Sequence, residues 1–153
     1  MSVTNHQEKN ARLINSTSCQ PQNLPGINMD DALNRLKISR ENFSQCLSIF
    51  FESNATIVAD ICNALKRGDE LEARKLLHRL RGSSANISAD DVVQKATELS
   101  DAVKSKEKCL EPLVDSLDNS LNIVMKSITT YTQSKKVDSN NAKHVDRTIS
   151  GSK

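Results

Sequence analysis

The chain is 153 residues long, which suits one domain of ordinary size with room for unstructured ends. Only 3% of its residues are aromatic and none is Trp, so the apolar content rests on Leu, Ile, Val and Ala, which favour packed helices over a pleated sheet. A formal net charge of +2 gives no electrostatic case for nucleic acid or an anionic membrane surface, and no window reaches the ~20 apolar residues of a membrane span.

Residues 1–23 are polar, rich in Asn, Gln and Ser, and lack the apolar run of a secretion signal, so they are expected to form a disordered arm or linker. Order is expected from Leu24. There Leu24-Pro25-Gly26-Ile27 reads as a turn, and Met29, Ala32, Leu33 and Leu36 keep the spacing of a short first helix lying across one end of the fold. Ser39 reads as the N-cap of a long second helix, whose apolar positions recur at threes and fours from Phe43 through Phe50, Ile57 and Ile61 to Leu65, until Gly68. Asp69, with Glu72 three residues on, caps a third helix that turns Ala73, Leu76, Leu77, Leu80, Ser84 and Ile87 inward.

Ser88, followed by Asp91, is expected to cap a fourth helix with Val92, Val93, Ala96, Leu99 and Val103 inside, ending in the charged stretch from Lys104 to Lys108. Pro112 fits the first turn of a last helix, striped by Leu113, Val114, Leu117, Leu121, Val124 and Ile128. From Tyr131 the sequence is polar and without period, so residues 131–153 are expected to be a disordered polar tail. Short connections between long helices force antiparallel neighbours. The predicted fold is therefore all-α, an up-down-up-down antiparallel four-helix bundle over residues 24–130, with a short extra N-terminal helix.

Cys19, Cys46, Cys62 and Cys109 are far apart, with no Cys-x-x-Cys pair and no His at zinc-ligand spacing. They read as reduced thiols, with no metal site and no cofactor on this chain, in a soluble cytoplasmic protein. No Gly-rich phosphate loop is present, so ATP binding and kinase activity are not expected.

At about 100° per residue, the apolar face of the third helix centres between Leu80 and Ala73 and leaves His78 nearly opposite, facing water. Its neighbours at spacings of three, four and seven are Arg74, Lys75, Arg81, Gly82 and Ala85, which are basic or very small. Those residue types suit an imidazole that carries phosphate: the ring nitrogen is a nucleophile, and cations beside it favour the charge of an added phosphoryl group. Gly82 costs about 1 kcal/mol against Ala in a helix interior and clears space for another protein to approach. Read alone, an exposed His on a helix is usually incidental and outward Arg and Lys are usually solvated charge; here all three features share one side of one helix. His6 and His144 lie in the polar ends without helical context and receive no role.

The run His78-Arg79-Leu80-Arg81-Gly82-Ser83-Ser84-Ala85-Asn86-Ile87 resembles the signature of histidine-containing phosphotransfer domains of multistep phosphorelays: His, any residue, an aliphatic, Lys or Arg, Gly, then small residues. The resemblance extends from about Leu24 to Ile128, and departs from the family at Ser88, where a Gly is common. It implies that His78 is the phosphoacceptor, Arg81 the cation that assists the phosphoryl group, and Gly82 the residue giving a receiver access. Leu71, Arg74, Lys75 and Ala85 then fall on the docking surface. It further implies a monomeric phosphocarrier, loaded from the phospho-aspartate of a response-regulator receiver and discharged to another, with a hybrid sensor kinase upstream and Mg²⁺ held by the receiver. The other readings are a helical adaptor that docks receivers without transfer, a purely structural bundle, and an excised C-terminal module of a hybrid kinase.

Overall fold

The structure, a computed structural model, describes the backbone of residues 24–151 and the side chains of residues 24–137; the expected arm 1–23 lies outside the described residues. Those residues form six α-helices: α1 Met29–Leu36, α2 Arg40–Asn54, α3 Ile57–Lys66, α4 Glu70–Asn86, α5 Asp90–Lys104 and α6 Glu111–Gly151. No strand occurs among the described residues.

Three of the six helix starts follow from short polar side chains that accept otherwise orphaned N–H groups. Asn28 accepts from the Asp31 N–H at 3.1 Å, Ser39 from Asn42 at 3.2 Å, and Asp69 from Glu72 at 3.0 Å. The stop before α4 is Gly68, whose φ of +71° lets the chain reverse in a left-handed turn.

The second helix of the predicted bundle is two helices, α2 and α3, separated by Ala55 and Thr56. The Asn54 amide donates to the Phe50 carbonyl at 2.9 Å, a side chain competing with the backbone ladder at the end of α2. The apolar period bridges the break, so α2 and α3 together serve as one leg.

That leg packs on α4, α4 on α5, α5 on α6, and α6 back on α2 and α3, which closes the four-legged antiparallel ring that the periodicity predicts. The core along its axis includes Phe43, Leu47, Ile61, Leu77, Leu80, Leu99, Leu117 and Val124, all nearly or wholly inaccessible. Such close packing fixes the rotation of α4, which decides where the outward side chains of that helix point.

α1 lies across the end of the bundle at the α4–α5 turn, held there by polar contacts. The Asn28 N–H donates to the Ser88 carbonyl at 3.0 Å, and the Ser88 hydroxyl donates to Asp31 at 2.6 Å while accepting from Arg35 at 2.7 Å. Arg35 also donates to the Ala85 carbonyl. Ser88 therefore does not cap α5, as its sequence context predicts. It adopts φ +54°, and the N-cap position belongs to Ala89, which has no side-chain acceptor. A left-handed backbone at position 88 is one that glycine adopts freely, and here the hydroxyl's bonds to α1 hold a residue with a Cβ in that conformation.

The expected disordered tail is also corrected at its start. α6 continues through Tyr131, which is 2% exposed, and its backbone is helical to Gly151. Tyr131 extends the 117, 121, 124, 128 stripe by one more step of three, and no Pro or Gly interrupts the helix before Gly151.

Candidate functional site

Packing of Ala73, Leu77 and Leu80 into the core leaves His78 on the exposed side of α4, the direction that helical phase predicts. Arg74, Lys75 and Gly82 are exposed with it, and Arg81 and Ala85 are half-buried. Leu71 stands out among them, an aliphatic side chain 63% exposed two turns before the histidine. Burying an exposed Leu is favourable by roughly 1.5–3 kcal/mol, none of which this side chain contributes to the free chain's core.

The closest cation is Arg81, whose Nη2 lies 3.4 Å from His78 Nδ1. The contact is long for a hydrogen bond, so the guanidinium is held beside the ring without being committed to it. Arg81 comes from one turn beyond His78, and helical side chains lean toward their own N-terminus, which aims it at the imidazole.

Gly82 lies on the other flank. A Cβ built there meets nothing within 4 Å, and its backbone is helical. Neither strain nor crowding among the described residues requires glycine at this position.

His78 opens onto a groove of about 440 Å³ between α4 and α5. From α4 it is walled by Leu71, Arg74, Lys75, His78 and Arg81, so the groove gathers most of the side chains predicted for the site. Gly82 and Ala85 are not part of its wall; Ala85 instead presents its carbonyl to Arg35 of α1. The opposite wall is α5, through Ala96, Ser100, Asp101 and Lys104. No local motif marks these α5 residues. They are found only by folding the sequence back at Ser88, which sets Ser100 about level with Leu76 across the antiparallel pair.

Charge in the groove is lopsided, with Arg74, Lys75, Arg81 and Lys104 against the single carboxylate of Asp101. Two ion pairs occur among the described residues, Arg35–Asp31 and Lys95–Glu98, and neither uses a groove cation. No group of three or more His, Cys, Asp or Glu able to hold a metal occurs among the described residues. The thiols of Cys46, Cys62 and Cys109 are free, and none lines the groove.

The family model for the Hpt domain matches residues 45–127, more than half of the chain, and spans α4 with most of the bundle. The chain belongs to the Hpt domain family. Its role is histidine phosphotransfer in a phosphorelay, and the fold agrees with that of solved relatives. Histidine-containing phosphotransfer protein B from Pseudomonas aeruginosa PAO1 superposes with a TM-score of 0.64 at 17% identity, covering 71% of this chain and 96% of that one. The HPT domain from the Hpt sensor hybrid histidine kinase from Shewanella also gives 0.64, at 21% identity, covering 73% and 97%. No curated protein sequence matches the chain. Hpt domains interact with receiver domains and hybrid kinases. Within the matched stretch of this Hpt chain His78 is the one histidine, since His6 and His144 fall outside it. No helix among the described residues is long and apolar enough to cross a membrane.

Proposed function

We propose that His78 is the phosphoacceptor of this Hpt domain, taking a phosphoryl group from the phospho-aspartate of one receiver and passing it to the aspartate of another. The observation that carries this reading is the exposed imidazole of His78 with the Arg81 guanidinium 3.4 Å away, on a helix whose next residue, Gly82, opens onto empty space.

In the loading step the lone pair of an imidazole nitrogen attacks phosphorus in line with the aspartyl oxygen. An N–P bond forms as the P–O bond breaks, and the electron pair leaves on the aspartate carboxylate. The other ring nitrogen keeps its proton, so the ring carries positive charge beside the phosphoryl oxygens. Arg81 swings from Nδ1 to those oxygens, an exposed contact worth about 0.2–1 kcal/mol, which orients the group without driving the chemistry. The receiver supplies Mg²⁺ and its acidic pocket; this chain supplies the positioned nucleophile and a docking face. Leu71 contributes apolar area, Arg74 and Lys75 complement the receiver's acidic rim, and Gly82 and Ala85 let its loops close over the histidine.

The chain acts as a monomeric carrier in the cytoplasm, loaded by a hybrid sensor kinase through a receiver and unable to charge itself from ATP. The test is to mix it with a receiver phosphorylated by a small phosphodonor and to follow acid-labile phosphate on this chain. Wild type is expected to take up label and His78→Gln to take up none. Equal labelling of the two would remove His78 from the reaction, and no label on either, with binding retained, would leave a docking adaptor.

A further inference from the structure

The groove beside His78 has a second wall, formed by α5. Lys104 closes α5 and lines the groove with His78 and Arg81. Because the chain reverses at Ser88, position 104 lies about level with position 72, roughly 9 Å along the axis from the level of His78 at 1.5 Å per residue. Side-chain lean then narrows that gap. His78 leans toward the start of α4, and Lys104 leans toward the start of α5, which is the opposite direction in space. The two side chains therefore lean toward each other along the groove they both line, while Arg81 reaches the imidazole from its other side.

Lys104 is exposed and takes part in neither ion pair found among the described residues, although Asp101 lies three residues before it on the same helix. Like Arg81, it is a cation in the groove without a carboxylate partner among the described residues.

We infer that Lys104 is a second phosphoryl-holding cation, which together with Arg81 brackets the phosphate once it is on His78. This rests on the phosphoacceptor reading of His78. The groups facing the phosphate are then Arg81, Lys75 and Arg74 from α4, and Lys104 with the opposing carboxylate of Asp101 from α5. A cation held against the phosphoryl oxygens favours their doubly charged form, so it lowers the pH at which the bound phosphate takes up its last proton. That property belongs to the loaded chain alone and needs no receiver.

The experiment loads the full chain with phosphoramidate, identifies the His78 signal by its absence in His78→Gln, and follows the ³¹P shift of the phosphohistidine against pH. Lys104→Ala is expected to raise the titration midpoint by a few tenths of a unit, the size of an exposed pair, and Lys104→Arg to restore it. High salt is expected to shrink the difference. Identical midpoints in wild type and Lys104→Ala would overturn the inference. So would an unchanged midpoint with slower transfer from a phosphorylated receiver, which would make Lys104 a docking residue. A wild type that gives no His78 signal and accepts no phosphate from a receiver overturns the parent reading as well, which separates the two failures.

Discussion

In a helix interior glycine costs about 1 kcal/mol relative to alanine, and at Gly82 neither a left-handed backbone nor a crowded Cβ offsets that cost. What the missing side chain leaves is room outside the chain, one turn beyond His78. Gly82→Ala is therefore expected to raise stability by about 0.5–1 kcal/mol in urea unfolding, whereas Gly82→Leu keeps the fold and blocks transfer from a receiver. Normal transfer by the leucine variant would show that no partner approaches over this position. The outward direction of His78 was legible from sequence because the phase of a helix follows from its own apolar residues. The conformation of Ser88 was not. A hydroxyl followed three residues later by Asp91 matches a capping pattern, while the bonds that decide its actual role come from Arg35 and Asp31, 53 and 57 residues away.

Between elements, the hydrophobic period was a sound guide to which segments are helical and a poor one to where they stop. Phe50 and Ile57 are two full turns apart, so the stripe runs on across Ala55 and Thr56, and the break between α2 and α3 leaves no trace in it. The break is visible in the polar residue Asn54, 2% exposed, which bonds to Phe50 and reaches Ser83 of α4 at 3.4 Å. At the other end, one aromatic in a polar context was too little to extend the last stripe, yet Tyr131 is among the buried residues of α6. Ending the chain after Thr130 is expected to cost about 1.5–3 kcal/mol in thermal or urea unfolding, the burial of one large side chain. The Tyr131 hydroxyl is buried without a partner among the described residues, so Tyr131→Phe is expected to be neutral or stabilising. A truncated chain as stable as the intact one would mean that the Tyr131 ring adds nothing to the core.

At the scale of the whole molecule, the α5 wall of the groove became visible only once the ring of helices was closed, because Ser100, Asp101 and Lys104 read along the sequence as an ordinary solvated face. Closure also brings the two ends of the bundle together. The Ser127 hydroxyl donates to the Pro25 carbonyl at 2.7 Å across 102 positions of sequence, and Gly26, at φ +82°, lies so close to α6 that a Cβ there would come within 2.9 Å of the Val124 side chain. Leu24 and Tyr131 thus sit within a few residues of one contact. The order in which the helices are strung is then separable from the way they pack. A circular permutant that joins these ends by a short flexible linker and opens the chain at exposed Gly68 should fold to the same bundle, giving the same circular dichroism and a histidine that still accepts phosphate. Loss of the fold on opening there would mean that the α3–α4 connection holds the ring together as well as linking it.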